Sequence, residues 1–156
     1  MNIKLFVMDV DGTLTDGMIY MGEGGELCKA FNIKDGYGIA HILPEYGIIP
    51  VIITGRTSRI VENRAKELRI EEFHQGALDK IPVLEKVAEK YGCTFEEIAY
   101  IGDDLNDLPC IEKCGLTACP ADSAKEITCA VDYVCEKIGG CGAVREFIDY
   151  IIEKTH

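Results

Sequence analysis

No run of apolar residues in this 156-residue chain approaches the length of a bilayer-spanning helix. The N-terminus reaches charge and strand within a few residues, so neither a membrane span nor a signal peptide is expected, and the chain reads as cytoplasmic. A basic stripe is also missing. The formal charge is −11, with Lys and Arg interspersed among the acids, which argues against nucleic acid as a partner. The eight cysteines (Cys28, Cys93, Cys110, Cys114, Cys119, Cys129, Cys135 and Cys141) include no C-x-x-C pair and have no histidine at finger-like spacing, so a structural zinc site is not expected. Without a secretory signal they read as reduced thiols, most of them small buried hydrophobes. His41, His74 and His156 are scattered, and no repeat or low-complexity linker interrupts the chain. A length of 156 residues with 47% hydrophobic composition suits one domain, residues 1–156, with a substantial core.

The chain is instead organised around Leu5 to Asp16. Four apolar residues run into Asp9-Val10-Asp11-Gly12, the pattern of a buried parallel strand ending in a loop. Asp9 and Asp11 share a face if the extended backbone persists, and Val10 then points into the core. Glycines 22, 24 and 25 separate two short apolar segments, predicting a hairpin over about 17–32 that is either a flap above the strand ends or an ordinary edge hairpin. Asp35 is the candidate cap of a helix running to Tyr46, weakened by Pro44. Further strands are expected at 48–53, 72–75, 98–101, 116–119 and 133–134, and helices at about 58–68, 82–91, 104–113, 123–130 and 143–153, with a capping box at Thr94 and Glu97. This alternation with short connections predicts an α/β fold, a doubly wound parallel sheet in three Rossmann-like layers.

Three of the strands end in polar clusters: Asp9 with Asp11, Thr54, and Asp103, Asp104 and Asp107. In an open parallel sheet such ends lie along one edge, and Lys80, at a helix start, can reach it. Carboxylates gathered there repel by about 4 kcal/mol for each pair ~4 Å apart at an effective dielectric of about 20. One lysine is too little countercharge, and an all-oxygen donor set suits Mg2+. The chemistry that follows is phosphoryl transfer. Asp9 is the candidate nucleophile and Asp11 the group that protonates the leaving oxygen and then activates water. Thr54 and the Gly55 N–H, read as a helix start, hold phosphate oxygens together with Lys80. Asp103 is a metal ligand, with Asp104 behind it and Asp107 orienting Lys80.

The D-x-D-G-T of Asp9 to Thr13, the strand ending in Thr54, Lys80, and the G-D-D-x-x-D of Gly102 to Asp107 resemble the four motifs of the haloacid dehalogenase superfamily of phosphohydrolases. The resemblance implies a phosphoaspartate intermediate on Asp9, and Mg2+ held by Asp9, the Asp11 backbone carbonyl and Asp103. The intervals between motifs are too short for the cap domain of most members, so a capless enzyme is expected, its site covered by a neighbouring subunit. Leu14-Thr15-Asp16-Gly17, Phe31 followed by Asp35-Gly36, Thr54-Gly55-Arg56, Arg64-Ala65, Gln75-Gly76 and Gly139 to Glu146 are similar to the 3-deoxy-D-manno-octulosonate 8-phosphate phosphatases. That similarity implies a homotetramer assembled through hairpins, a C-terminal segment (139–156) that helps close an adjoining site, and Arg56 as the ligand of a sugar-acid carboxylate. One helix follows the Gly-Gly pair before His156, so a short reach is expected. The competing readings are a phosphatase for a nine-carbon sialic-type acid 9-phosphate, a broad phosphomonoesterase, and a receiver-like phosphorylated signalling module.

Overall fold

Leu5–Met8 forms β1, and all four of its side chains are buried, two on each face of the sheet. The computed structural model describes residues 1–155. Phe6 and Met8, with Val10 beyond them, pack into one apolar layer, while Leu5 and Val7 pack into another. A strand covered on both sides needs an unbroken apolar run, and Leu5-Phe6-Val7-Met8 supplies it.

After β1 come the hairpin strands β2 (Tyr20–Gly22) and β3 (Gly25–Cys28), then α1 (Ile33–Tyr37), a π-helical turn (Gly38–Ile42) and α2 (Leu43–Glu45). The chain continues through β4 (Ile49–Ile53), α3 (Arg59–Glu67), β5 (Glu72–His74), α4 (Ile81–Tyr91), β6 (Ile98–Ile101), α5 (Leu108–Ile111), β7 (Leu116–Cys119), α6 (Lys125–Thr128), β8 (Tyr133–Val134) and α7 (Ala143–Thr155). Six strands form one parallel sheet in the order β5-β4-β1-β6-β7-β8, and β2 and β3 pair antiparallel as a separate two-stranded sheet. The hairpin is therefore not an edge of the main sheet. One sheet face is covered by the π turn, α3 and α7, through Ile39, Val61, Ala65, Phe147, Ile148 and Ile151. The other is covered by α4, α5 and α6, through Leu84, Val87, Ile111 and Ile127. This is the expected three-layer fold without a cap. The chain leaves β1 toward β4 and β5, then returns to β6 on its other side, so the topological switch lies at the carboxyl end of β1.

The caps of α3 and α4 are as the residue types predict. Ser58 Oγ accepts from Val61 N, and Gly92 ends α4 in the left-handed region. The expected cap of α1 is corrected: Asn32 Oδ1 accepts from Lys34 N at 2.9 Å and Asp35 N at 3.2 Å, so Asn32, not Asp35, starts the helix. Pro44 is absorbed by the π turn before it, in which Leu43 N reaches back to Gly38 O and the ladder widens ahead of the missing donor. The short edge strand β5 is anchored by buried Glu72, which accepts from Tyr91 Oη at 2.8 Å and from Lys90. All eight cysteines are free thiols, and among the described residues no helix is long and apolar enough to cross a membrane.

Asp35 lies inside α1, 1% exposed, where Oδ1 accepts from Arg145 N at the start of α7 at 2.9 Å and Oδ2 finds no donor among the described residues. Burial pushes its carboxyl up to about 6, against the pull of the Arg145 and Gly142 N–H groups. The unfolded chain releases this proton near the ordinary carboxylate value, so the native state binds more protons between about pH 4 and 6. Stability from this group is fullest below that window and falls as pH rises through it, by about 3 kcal/mol for a two-unit shift. Asp35→Asn cannot ionise. Relative to the wild type it is expected to gain roughly that much between pH 4 and pH 7.5 in urea denaturation, and a pH-independent difference would contradict the account.

Candidate active site

The carboxyl ends of β1, β4 and β6 frame a cleft of about 330 Å3 whose walls include Asp9, Asp11, Thr54, Arg56, Asp103 and Asn106. A larger concavity of about 460 Å3 runs along α7, but Arg145 and Asp149 there neutralise each other at 2.9 Å. Unbalanced charge is concentrated in the smaller cleft.

Asp9 directly follows β1, is 5% exposed, and is held in line by its N–H on Ile101 O at 3.1 Å. The chain then turns so sharply that the N–H groups of Thr13, Leu14 and Thr15 all converge on the Val10 carbonyl at 2.9–3.1 Å. Gly12 sits at φ +88°, and a β-carbon there would collide with the Asp103 carboxylate, so this turn requires glycine twice over. The loop is buttressed from the other end of the chain. Gly140 N donates to Thr13 O at 3.2 Å, and a side chain at Gly139 would run into the Gly12 carbonyl.

Lys80, at the start of α4, is buried to 2% and its Nζ donates to Asp9 Oδ1 at 2.8 Å and Asp107 Oδ1 at 2.7 Å. Asp107 is saturated: Oδ1 also accepts from Tyr100 Oη at 2.7 Å, and Oδ2 from the N–H groups of Asp103 at 3.1 Å and Asp104 at 3.4 Å. Oxygen atoms of Asp9, Asp103 and Asp107 lie within 4.8 Å of one another. With both Asp107 oxygens already taken, Asp9 and Asp103 are the carboxylates left to hold a cation. The Asp103 carboxylate also accepts from the Thr13 hydroxyl, at 3.3 Å.

The electrostatics ask for that cation. Burial, followed by the charge of Asp9, pushes Asp103 up to about 8. Burial and Asp107 together raise Asp9 despite Lys80, and although burial alone would lower Lys80, the two acids raise it. A buried acidic set with one ammonium and only hard oxygen donors fits Mg2+. Binding must displace the Asp103 proton, so affinity for Mg2+ should rise about tenfold per pH unit and level off above pH 8. The stability sign agrees: the native state binds the extra proton between about pH 4 and 8, so metal-free protein loses stability as pH rises through 8. Saturating Mg2+ should therefore raise Tm more at pH 8.5 than at pH 6, and equal gains at both would count against Asp103 as the ligand.

Thr54 is 3% exposed on the cleft wall. Gly55 is not at a helix start as expected: α3 begins only at Arg59, so the Gly55 N–H belongs to a loop and gains nothing from a helix dipole. Asp104 is exposed, and its Oδ1 caps the following turn through Leu105 N at 2.8 Å. Arg56 reaches the cleft, but Nη2 is engaged by Glu26 Oε2 at 3.1 Å. Asp11 is paired with Lys29 Nζ at 2.7 Å. Sequence reasoning missed Glu26, Lys29, Tyr100 and Asn106. A lysine and glutamate in a hairpin strand carry no motif, and only tertiary packing brings them to the acids.

Residues 71–148 match the model of the haloacid dehalogenase-like hydrolases. The chain is 45% identical over 151 residues to the 3-deoxy-D-manno-octulosonate 8-phosphate phosphatase of Escherichia coli K12, covering 97% of this chain and 80% of that protein. It is similar to the crystal structure of the Yersinia pestis phosphatase of the same name, with a TM-score of 0.94, 43% identity, and coverage of 97% of this chain and 82% of that one. The Moraxella catarrhalis phosphatase, solved with magnesium ion, phosphate ion and KDO, superposes with a TM-score of 0.92 at 43% identity, covering 97% and 86%.

Proposed function

The chain belongs to the haloacid dehalogenase-like hydrolases, in the branch of the 3-deoxy-D-manno-octulosonate 8-phosphate phosphatases, and from that premise we propose that it hydrolyses the 8-phosphate of this eight-carbon sugar acid through a phosphoaspartate. The observation that carries the reading is the state of Asp9. It is a buried carboxylate at the switch point whose Oδ1 is fixed by Lys80, leaving Oδ2 to attack.

Asp9 Oδ2 forms the new bond to phosphorus as the bond from phosphorus to the sugar oxygen breaks. Asp11 gives that oxygen its proton, then takes one from the water that attacks the phosphoaspartate, releasing phosphate and restoring Asp9. The Thr54 hydroxyl, the Gly55 N–H and the one Lys80 donor not used on Asp9 and Asp107 hold the phosphate oxygens. Asp107 positions Lys80, and Asp104 shapes the turn that presents Asp103. Mg2+ held by Asp9, Asp103 and the Asp11 carbonyl supplies the charge that offsets repulsion between carboxylate and phosphate dianion. Arg56 receives the sugar-acid carboxylate, exchanging Glu26 for it.

The hairpin leaves Met18, Tyr20, Met21 and Leu27 more than half exposed. This apolar surface supports assembly through the hairpins into a homotetramer, with a neighbour covering the capless cleft. A monomeric mass at working concentration would remove that part of the reading.

The test is a substrate panel with Mg2+ and phosphate detection. The eight-carbon acid 8-phosphate should exceed a nine-carbon sialic-type 9-phosphate and simple phosphomonoesters in kcat/KM by about 100-fold or more. Equal rates across the panel would leave a broad phosphomonoesterase, and a stable phosphorylated Asp9 without turnover would leave a signalling module.

A further inference from the structure

The hairpin places two charged side chains against the active site of its own chain. Lys29 follows β3 directly, and its side chain has no exposed surface, although it belongs to a hairpin in which Met18, Tyr20, Met21 and Leu27 are more than half exposed. Its Nζ donates to Asp11 Oδ1 at 2.7 Å and lies 3.6 Å from Glu26 Oε1. Glu26 in turn accepts from Ser58 Oγ at 2.5 Å and from Arg56 Nη2 at 3.1 Å. Polar contacts thus run from the loop after β1 to the loop after β4, through hairpin residues alone. Among the described residues no other side chain donates to the Asp11 carboxylate. The two strands of the hairpin share no ladder with the main sheet, so these contacts help to hold it beside the cleft.

A buried ammonium gives up hydration and the freedom of four side-chain torsions, and it stays in place only where a partner holds it. Here that partner is the group assigned above to exchange the proton. We infer that Lys29 is the positioning residue for Asp11. It holds Oδ1, so that Oδ2 alone faces the leaving oxygen and then the water, and Glu26 fixes Lys29 by tying it to the Arg56 loop. The inference rests on the reading of Asp11 as proton donor and acceptor. It assigns the hairpin a part in the chemistry of its own subunit, separate from any part in assembly.

The leaving group provides the test. A sugar phosphate releases an alkoxide and needs a proton as its bond to phosphorus breaks, whereas p-nitrophenyl phosphate releases a stable phenolate and needs almost none. kcat/KM covers the steps up to that cleavage, so slow hydrolysis of the phosphoaspartate does not enter it. Lys29→Met is expected to lose about 100-fold in kcat/KM on the sugar phosphate and less than about fivefold on p-nitrophenyl phosphate, with Lys29→Arg recovering part of the loss. Asp11→Asn should show the same selective pattern, and the double variant should be no worse than Asp11→Asn alone. If Lys29→Met fails to fold, Lys29→Gln is read by the same ratio. Equal losses on both phosphates, or none, would overturn the role of Lys29 while leaving Asp11 in place. An Asp11→Asn variant without selective loss would overturn both.

Discussion

Asp9→Asn is expected to lower kcat by on the order of 10⁵-fold or more while the protein stays folded. The amide cannot form the acyl phosphate, so the reaction loses its nucleophile. The fold should tolerate the change because the Asn oxygen still accepts the Lys80 hydrogen bond now made at 2.8 Å. Stability should hold or increase near neutral pH, since burial and Asp107 both disfavour the charge that the substitution removes. Acid-quenched wild type, examined by mass spectrometry during turnover, should carry phosphate on the peptide containing Asp9, and the variant none. Activity retained in Asp9→Asn, or label on another residue, would remove the phosphoaspartate mechanism.

Lys80→Met should damage both stability and turnover. Its side chain has no exposed surface and bridges two buried carboxylates, and taking one partner from such a set leaves uncompensated charge. The expected cost is about 3–5 kcal/mol, a fall in Tm of roughly 10 °C. Turnover should drop by on the order of 10³-fold, because Asp9 loses its fixed oxygen and the phosphate loses a point charge. Mg2+ should recover part of the stability and little of the rate, since it can offset charge at Asp9 and Asp103 but cannot reach Asp107, whose oxygens are occupied by backbone and Tyr100. A variant as stable as wild type without metal would mean that the two Lys80 contacts add nothing net to the stability of the fold.

The layers of the fold could be read in the chain because burial on two faces leaves an apolar run that nothing else requires. Ile98–Ile101 and Leu116–Cys119 are strands to the residue for that reason. The acids at the strand ends were legible because parallel strands bring their carboxyl ends to one edge whatever separates them in sequence. Local competition was harder to read. Asn32 and Asp35 are both good cap residues, and the outcome turned on the N-terminus of α7, from the far end of the chain, claiming the Asp35 carboxylate. The π turn before Pro44 has no compositional mark. Glu26 and Lys29 are three apart, which in a regular strand places them on opposite faces. The hairpin register slips between them, with Met21 opposite Glu26 but Tyr20 opposite Cys28, so the alternation fails across this stretch and the two side chains meet. The sequence pattern puts Gly55 at a helix start because the apolar helix stripe begins nearby, yet Ser58, with its N–H donating to Gln75 Oε1, is where the helical bonds begin.

The close packing of Gly139 and Gly140 on the Thr13–Asp16 loop bears on when the enzyme becomes active. The nucleophile directly follows β1, but the loop that shapes its surroundings is braced by residues that come only after β8. A growing chain that has released its first four strands already contains Asp9, Asp11 and Thr54, yet lacks the backbone wall against which their turn is set. Catalytic competence is therefore expected only once Gly139 and Gly140 have joined the fold, and a chain cut directly after β8 should be inactive although it keeps every acid of the cleft.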